Sequence, residues 1–537
     1  MDSVLFKKAR QAQLCYDDLM EKTGLYPDSK VAFRVDDSEE QLLRKACFEN
    51  NPFPGLVKAV LLKLRLAAVK KLFMDEKVLQ TGPAAAILAL DAALAKDIGE
   101  MRTGEKSDAE VVCDVGFAGL QVIRLYMMAY SGDQAFASSR YQSATRVDNA
   151  LNGSFYKYAT KDGRKFSAHV YYESQKAKIM QTLGIKKAPD KFVLASLPID
   201  KRITADAVKK WNAEELEEQV FADGACGCML RSREEWENMP VGKAVCEMPL
   251  FRFNKVHDAP VKAYKAIDPS KGPLSGIKVL DLTHIIAGPV CTRLLAEYGA
   301  DVLMVRRGDF RHQEQAMLEL DGWAGKNSIQ LDFNVPAELE RAKELVKEAD
   351  VVVCSYQNGA LDKFDLGAEG IHALNPNVIY ASMVCFSDTV WKERPGWAPC
   401  AEDITGLSIR NGSPENPVNL NGVPLDYIPG MILCSGVMKA LKLQMTEGGS
   451  YTLTGSLTRG GYWLHECTDL WEKGGEMTPS TAVKQNYSHP MWMQASHAVT
   501  DTAIGTVYFP SPATCFDTQG QLFDNMRFMD GRKGFQL

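Results

Sequence analysis

The stretch from Gly276 to Val305, GIKVLDLTHIIAGPVCTRLLAEYGADVLMV, constrains the fold more than any other part of the chain. It reads as a buried strand (Ile277–Leu282), a turn at Ala287-Gly288-Pro289, an amphipathic helix, and a second buried strand after Gly299. Proline suits the start of a helix because it needs no N–H partner there, and glycine can adopt the left-handed conformation that ends one. Two apolar runs around one helix predict a parallel βαβ unit of an α/β protein, with a ligand at the carboxyl end of the first strand.

Composition and missing motifs argue against several classes of function. The turn of the βαβ unit lacks the G-x-G-x-x-G fingerprint, which disfavours an NAD enzyme. A net charge of −6 over 537 residues gives no general attraction to nucleic acids or membranes. No uncharged run is long enough to span a membrane, the N-terminus lacks a signal-peptide core, and the C-terminal GFQL is not a peroxisomal signal. We therefore expect a cytoplasmic protein.

The cysteines give no sign of a metal site. The 13 cysteines are scattered and odd in number, as is typical of a reducing compartment. Cys226 and Cys228 form the only close pair, and two further ligands are missing from their neighbourhood in the sequence. We predict ordinary thiols and no metal.

Five segments carry a resemblance to a known family: Thr283–Asp309, Gly325–Phe333, Ala349–Gly367, Leu374–Phe386 and Val423–Leu441. In this order they resemble the family III CoA-transferases, the group of formyl-CoA transferase, carnitine CoA-transferase and α-methylacyl-CoA racemase. The resemblance covers residues 272–460 and is specific because the segments are ordered. It implies a Rossmann-like parallel sheet with a smaller α+β domain. It also implies coenzyme A as a substrate, with no permanently bound cofactor.

A weak internal repeat suggests that the chain contains two unequal copies. Pro83–Leu120 and Pro429–Leu464 each read as an apolar helix, a glycine turn, an alternating strand and a second helix. Gly153–Gly184 and Trp211–Gly242 resemble small-domain segments that follow the catalytic core in ordinary family members, whereas here they precede it. Family members form interlocked dimers, so we predict an intrachain pseudo-dimer, with or without further homo-oligomers.

This organisation predicts three parts. Residues 1–270 would be a reduced copy that contains the small-domain segment. Residues 272–480 would be the catalytic Rossmann-like domain, and residues 481–537 a tail that packs back on the core. A polar, turn-rich stretch from His257 to Gly272 is the predicted linker.

Asp426 matches the position of the family's nucleophilic aspartate. The resemblance implies that its carboxylate attacks an acyl-CoA thioester to form an anhydride, after which CoA passes to a carboxylic acid. With Pro429 as the first helical residue, amides near Gly430 would stabilise the oxyanion. The alternative role is a helix N-cap, for which Asp426 would lie two positions too early. The corresponding stretch of the first half, Lys77–Gly82, has no aspartate at this spacing, so we expect one active site per chain.

Positive charge should gather where CoA binds, since CoA carries a 3′-phosphate and a pyrophosphate. Lys363 stands where the family has an arginine that contacts CoA. His284 and Ile286 occupy the first strand-to-helix loop, where the family's residues border the thioester. Solvated charges and a structural histidine are the alternatives. The candidates for the CoA phosphates are Arg306, Arg307, Lys326 and Lys363.

The chain departs from the family pattern near residue 397. Trp397 stands where racemases carry a histidine, and indole neither accepts nor delivers a proton near pH 7, so two-base racemisation is not expected. The acid that transferases place next is replaced by Ala398. Glu402 and Asp403 either substitute for it or face solvent, and we favour the second.

Three functions therefore stay open. The first is CoA transfer between an acyl-CoA and a carboxylic acid. The second is an epimerase, isomerase or lyase that tailors a specialised metabolite on the same fold, with or without bound CoA. The third is a catalytically silent binding or scaffold protein.

Overall fold

A computed structural model describes most of the chain. The described residues are 4–35, 63, 67, 70, 76–127, 129–131, 156–170, 173–185, 201–264, 267, 272–306, 321–474, 482–485, 496–502, 505–510 and 512–516. Within them, no helix combines the length and apolarity needed to cross a bilayer.

The helices are distributed along the whole described chain. They are α1 (Val4–Thr23), α2 (Thr81–Thr103), α3 (Val115–Gln121), α4 (Arg124–Met127), α5 (Glu173–Thr182), α6 (Lys201–Val208), α7 (Ala213–Ala222), α8 (Arg233–Asn238), α9 (Pro240–Cys246), α10 (Ala287–Glu297), α11 (Pro336–Glu348), α12 (Ala368–Leu374), α13 (Ala398–Ile404), α14 (Leu407–Asn411), α15 (Pro424–Thr446) and α16 (Leu457–Glu472). Short 3₁₀ turns cover Asp321–Trp323 and Asp362–Phe364.

The strands fall into four sheets. They are β1 (Val31–Val35), β2 (Val111–Asp114), β3 (Ala129–Ser131), β4 (Tyr158–Ala159), β5 (Lys165–Ala168), β6 (Gly227–Met229), β7 (Phe251–His257), β8 (Lys278–Leu282), β9 (Asp301–Arg306), β10 (Asn327–Gln330), β11 (Val351–Cys354), β12 (Ile379–Val384), β13 (Ser450–Ser456), β14 (Ala482–Gln485), β15 (Ser496–Thr502), β16 (Gly505–Pro510) and β17 (Thr514–Phe516).

A seven-stranded sheet forms the centre of the second half, in the order β10-β9-β8-β11-β12-β13-β7. Strands β8 to β13 run parallel, and β7 pairs antiparallel with β13. The middle strand β11 (VVVC) is buried throughout, as a sheet covered by helices on both faces requires. The predicted parallel α/β sheet is confirmed, and β8, α10 and β9 form the predicted βαβ unit. Strand order reverses between β8 and β11, the point at which such sheets bind ligands.

Helix α15 is the central helix of the protein. It packs against α2, α10, α16 and strand β13, which explains why its sequence is apolar on all sides. The helix begins at Pro424, with Val423 as its N-cap, and not at Pro429 as predicted. Pro429 lies inside the second turn, so the first of the two prolines marks the start.

The packing of α15 on α10 accounts for Gly430. A Cβ atom at Gly430 would lie 2.4 Å from the Ala287 carbonyl oxygen and 2.9 Å from Val290 Cβ. Only glycine permits this approach of the two helix backbones. Gly430 is therefore a packing residue.

The first half contributes a second sheet, ordered β14-β1-β2-β17. Strands β14 and β17 come from the predicted tail and pair with β1 and β2 of the first half. The helix, strand and helix of the repeat are α2, β2 and α3 in one copy, and α15, β13 and α16 in the other. A third sheet, β15-β16-β3, joins the tail to Ala129–Ser131.

Two contacts tie the halves together. Strand β7 precedes the predicted linker, yet it is the edge strand of the main sheet. Where α15 crosses α2, the Ser435 hydroxyl donates to Asp91 Oδ1 at 2.5 Å in the core. The predicted boundary near residue 270 thus lies between two strands of one sheet.

A small α+β unit lies within the first half of the chain, between β3 and β7. Its antiparallel sheet has the order β4-β5-β6. Phe166, Ile179, Leu216 and Val220 form its apolar core with helices α5, α6 and α7. The segments that resemble the family's small domain supply its described strands and two of its helices.

Candidate active site

A cavity of about 340 Å³ opens at the carboxyl ends of β8, β11 and β12. This is the edge where the βαβ unit predicts a ligand. Its wall comes from His284 after β8, residues 355–358 and 360 after β11, residues 383–387 at the end of β12, residues 391, 392 and 394–397 in the following loop, and Gln175 of α5. One wall residue therefore belongs to the first half of the chain.

The loop after β8 is strained at Ile285, next to His284. Ile285 has φ 67°, a left-handed value that is costly for a β-branched side chain. The His284 amide donates to Ser355 Oγ at 3.0 Å, and its ring lies 4.6 Å from the Tyr356 ring. His284 thus lines the cavity. Ile286 instead is buried in the core as the N-cap residue of α10.

The turn that begins α10 needs its glycine. A Cβ atom at Gly288 would lie 2.7 Å from Cβ of both Thr283 and Ser355. The IIAGP sequence therefore lets the start of α10 press against the ends of β8 and β11. The motif therefore permits a close approach of backbones, although it is not a dinucleotide-binding fingerprint.

Asp426 is the third residue of α15 and lies in its first turn. Desolvation alone raises the pKa of its carboxyl to about 7, and no described residue supplies a hydrogen bond or charge that alters it. Because Val423 is the N-cap and no side chain caps this end, the N-cap alternative is wrong.

Asp426 is not part of the cavity lining. Burial raises the pKa of Cys385, which does line the cavity, and the negative charge of Asp426 raises it further. The carboxyl therefore lies close enough to Cys385 to act on it electrostatically. The role of Asp426 stays a prediction.

The predicted oxyanion donors near Gly430 are wrong. Since α15 starts at Pro424, the amides of Gly430 and Met431 lie in the second turn, where the helical pattern directs each N–H to the carbonyl four residues before it. Asp426 itself lies in the first turn of α15, which follows Val423.

Glu402 and Asp403 do not face solvent, contrary to the favoured prediction. Both lie in α13 and are buried, and each has hydrogen-bond or ion-pair partners. Glu402 Oε2 accepts from Asn419 Nδ2 at 2.7 Å and from the Leu420 amide at 2.9 Å. Burial raises the pKa of Glu402 to about 8, so the group is largely neutral near pH 7.

Asp403 forms a buried ion pair with Lys157 and accepts from Ser167 Oγ at 2.5 Å. Both partners belong to the small α+β unit. Neither Glu402 nor Asp403 lines the cavity, so they hold α13 in place and do not replace the acid lost at Ala398.

Lys326 was predicted to bind the CoA phosphates, and this prediction is wrong. Its ammonium is fully buried and donates to Asp281 Oδ2 at 2.7 Å, Thr292 Oγ1 at 2.6 Å and the Pro289 carbonyl at 3.1 Å. All three N–H donors are used within the core. The group is a structural cation.

The other predicted cations are not gathered at the cavity. Arg306 lies over the Trp323 ring at 4.3 Å, and Lys363 is exposed with its ammonium 4.8 Å from the Phe364 ring. Neither lines the cavity. Arg307 lies outside the described residues.

Two basic residues of the cavity wall were not predicted from the sequence. Arg394 pairs with Glu218 at 2.6 Å and lies 4.0 Å from the Trp391 ring. Lys392 is exposed at the cavity edge and forms no ion pair with a described residue. Their signal in the sequence is WKERPGW, two bases in the loop between β12 and Trp397. Trp397 itself lines the cavity and is the N-cap residue of α13.

The parallel sheet, its reversal of strand order and the cavity at that point define a Rossmann-like α/β protein with a small-molecule site. Residues 274–507 match the family model described as CoA-transferase family III. The resemblance to this family predicted from the sequence is confirmed over these residues.

Several curated proteins are similar to this chain. An acyl-CoA transferase of Gibberella moniliformis is 30% identical over 357 residues, which cover 64% of this chain and 60% of that protein. A formyl-CoA:oxalate CoA-transferase of Rhodopseudomonas palustris is 32% identical over 198 residues, or 35% of this chain and 47% of that protein. The chain thus spans between 47% and 60% of the length of these relatives.

A solved structure is also similar. A CAIB/BAIF family protein from Brucella suis is 25% identical and is matched over 45% of this chain and 66% of that protein, with a TM-score of 0.34. At this score the family assignment depends on the sequence match alone.

Proposed function

We propose that this protein transfers CoA from an acyl-CoA thioester to a carboxylic acid, with Asp426 as the nucleophile. The observation that carries the proposal is the Asp426 carboxyl, whose pKa is raised by burial and which acts electrostatically on Cys385 in the wall of a cavity at the switch point of the sheet. Similar proteins named for CoA transfer support the reaction class.

The proposed reaction proceeds through covalent intermediates on Asp426. The carboxylate attacks the thioester carbonyl, the C–S bond breaks, and an acyl-aspartyl anhydride and CoA thiolate form. The thiolate attacks the aspartyl carbonyl, which releases the donor acid and leaves an aspartyl–CoA thioester. The acceptor carboxylate attacks that thioester, and the thiolate it releases then attacks the acceptor carbonyl. The new acyl-CoA departs and Asp426 is free again.

The surroundings of Asp426 suit a nucleophile. With a pKa of about 7, a large share of the carboxyl is ionised at neutral pH. The ionised form is poorly solvated, which makes it more reactive than a carboxylate in water. Its place in the first turn of α15 gives it the positive end of the helix dipole, which favours the charged form.

The cavity wall supplies contacts for an acyl-pantetheine arm. His284, Ser355 and Asn358 offer polar groups, and Met383 and Phe386 offer apolar surface. Lys392 is the cation that we assign to the CoA phosphates, because Arg394 is already engaged by Glu218. A lysine binds phosphate as a point charge, without the bidentate fork of arginine.

The first half of the chain would complete the site as a partner subunit does in an intrachain pseudo-dimer. Gln175 of α5 in the cavity wall supports this arrangement. The contact between Asp91 and Ser435 and the edge strand β7 also support it, since they bind the two halves into one core.

Trapping with hydroxylamine tests the proposal. The full chain is incubated with an acyl-CoA and hydroxylamine, and peptide mass spectrometry is expected to find a hydroxamate on Asp426. Asp426→Asn should lower the transfer rate by about a thousandfold, as loss of a covalent nucleophile does. Glu402→Gln is the matched control, because it also removes a carboxyl whose pKa is raised by burial, but one that is engaged by Asn419 and the Leu420 amide.

Four results would contradict the proposal. One is a hydroxamate on another residue, and another is an Asp426→Asn variant with unchanged turnover. The third is the absence of CoA binding in calorimetry at millimolar CoA, which would favour the isomerase or lyase alternative. Binding of CoA without any trapped intermediate or turnover would favour a silent binding protein.

A further inference from the structure

Antiparallel pairing of β5 with β6 places three metal-ligating side chains on one face of the small sheet. Ser167 pairs with Cys228, Ala168 pairs with Gly227, and the His169 amide donates to the Cys226 carbonyl at 2.9 Å. Side chains alternate between the two faces of a strand. His169, Cys226 and Cys228 therefore share the face that also carries Ser167.

Helix α13 covers this face and adds a fourth group. Cys400 Sγ lies 3.9 Å from Cys226 Sγ, and Cys228 Sγ lies 3.8 Å from the Cys400 carbonyl oxygen. Ligand atoms of His169, Cys228 and Cys400 all lie within 4.8 Å of one another. All four side chains are fully buried, although 174 residues separate Cys226 from Cys400 in sequence.

His169 is the anomaly of this cluster. Both of its ring nitrogens are buried, and neither has a hydrogen-bond partner among the described residues. A neutral imidazole always has one N–H donor and one acceptor nitrogen, and buried polar atoms are nearly always paired. One ring nitrogen of a neutral His169 therefore has a lone pair free for a metal.

We propose that His169, Cys226, Cys228 and Cys400 bind a zinc ion at a closed structural site. Three thiolates and one imidazole form a donor set typical of tetrahedral zinc. A Zn–S bond of about 2.3 Å in a tetrahedron places two sulfurs about 3.8 Å apart, close to the observed 3.9 Å between Cys226 and Cys400. The donor atoms of His169, Cys228 and Cys400, all within 4.8 Å of one another, would move closer together on binding.

Zinc binding at this cluster releases protons and involves no redox step. On zinc binding each thiol gives its proton to solvent and its sulfur lone pair to the metal, and no redox partner is required. Metal binding is thereby coupled to proton release.

The zinc site would act on the active site through Trp397. The indole packs on Cys226, Cys228 and Cys400, and it is the N-cap residue of α13 and a wall of the cavity. A metal that joins β5 and β6 to α13 would fix Trp397 and hold the small α+β unit on the catalytic sheet. The inference stands whether or not the cavity binds CoA.

Metal analysis of the full-length protein tests the inference. Protein produced with added zinc sulfate and purified without chelator should contain about one zinc per chain by elemental mass spectrometry. Replacement with Co²⁺ should give the ligand-field and charge-transfer absorption of tetrahedral thiolate coordination. Cys228→Ala and Cys400→Ala should each lower the zinc content at least about tenfold. Cys354→Ala is the matched control, because Cys354 is a buried thiol in a different apolar cluster.

Several different results would contradict the zinc site. Zinc-free protein with a native fold, or zinc retained in both ligand variants, overturns the site. A Cys226–Cys400 disulfide in peptide mapping of protein handled without reductant also overturns it. Should the alanine variants fail to fold, the zinc content and cobalt spectrum of the unaltered protein decide. A Cys400→His variant, which keeps a ligand, should retain the metal.

Discussion

Lys326 Nζ lies 2.7 Å from Asp281 Oδ2, and both side chains are completely shut off from solvent at the base of α10. Asp281 also accepts from Thr292 Oγ1 at 2.7 Å and from the Thr283 amide at 2.9 Å. The pair therefore joins β8, the turn after it and α10. Desolvation lowers the pKa of Lys326, while Asp281 is the charge that opposes this.

Lys326→Met is expected to destabilise the fold strongly. It leaves the Asp281 carboxylate buried without its cation, which costs about 3–5 kcal/mol of unfolding free energy. Urea denaturation of the full chain measures the loss. Lys347→Met, at an exposed position near the end of α11, should change the unfolding free energy by less than about 0.5 kcal/mol.

The KM of the folded fraction of the Lys326→Met variant distinguishes a structural role of Lys326 from a role in CoA binding. We expect an unchanged KM for acyl-CoA, because no donor of Lys326 is available to a ligand. A stable variant whose KM rises would return Lys326 to the CoA-binding residues predicted from the sequence.

Gly430→Ala is expected to separate α15 from α10. The new methyl would meet the Ala287 carbonyl oxygen at 2.4 Å, and neither helix backbone can yield easily. Overpacking of this kind costs about 1–3 kcal/mol, and the thermal midpoint should fall by several degrees. Calorimetry measures the change. A variant with unchanged stability and lost turnover would instead indicate that Gly430 acts in catalysis.

Lys392→Ala is expected to weaken CoA binding without affecting the chemical step. Loss of one exposed cation at a phosphate costs about 1 kcal/mol, so KM for the acyl-CoA should rise about fivefold while kcat stays constant. Higher salt should lower the affinity of the unaltered protein more than that of the variant. Lys347→Ala is the control. A fall in kcat with unchanged KM would show that Lys392 does not contact the phosphates.

Local patterns in the sequence predicted much of the fold. The apolar runs around AGP predicted β8, α10 and β9, and the carboxyl end of β8 is where the cavity opens. These features depend on neighbouring residues, so periodicity and turn chemistry are enough to find them. The start of α15 was predicted at the wrong proline because Pro424 and Pro429 both fit a first helical turn.

Contacts between distant segments were beyond the sequence. Lys326 reads as a free base at a strand end, yet it meets Asp281 from 45 residues away. The Cys226–Cys228 pair lacks ligands nearby in the chain, but the fold brings Cys400 to it. Such pairings depend on how sheets and helices stack. No rule on residue spacing predicts these pairings, so a single basic residue or cysteine in the sequence gives no sign of its distant partner.

Asp426 should make both activity and stability depend on pH. Its pKa is about 7 in the folded protein and about 3.9 in an unfolded chain, so the folded state binds the proton more tightly. The contribution of Asp426 to stability is therefore complete below pH 4 and is lost as the pH rises through 7. Asp426→Asn should match the unaltered protein near pH 4 and exceed its unfolding free energy at pH 8, by on the order of 4 kcal/mol.

The activity of the unaltered protein should change in the opposite direction, because the nucleophile must be ionised. We expect kcat/KM to rise with pH and to level off above a pKa near 7, the value of the free enzyme. Urea denaturation at the two pH values and a pH–rate profile measure these effects. If Asp426→Asn and the unaltered protein keep the same difference in stability at pH 4 and pH 8, the carboxyl is not desolvated. A flat rate profile across neutral pH would then remove the reason to place the anhydride on Asp426.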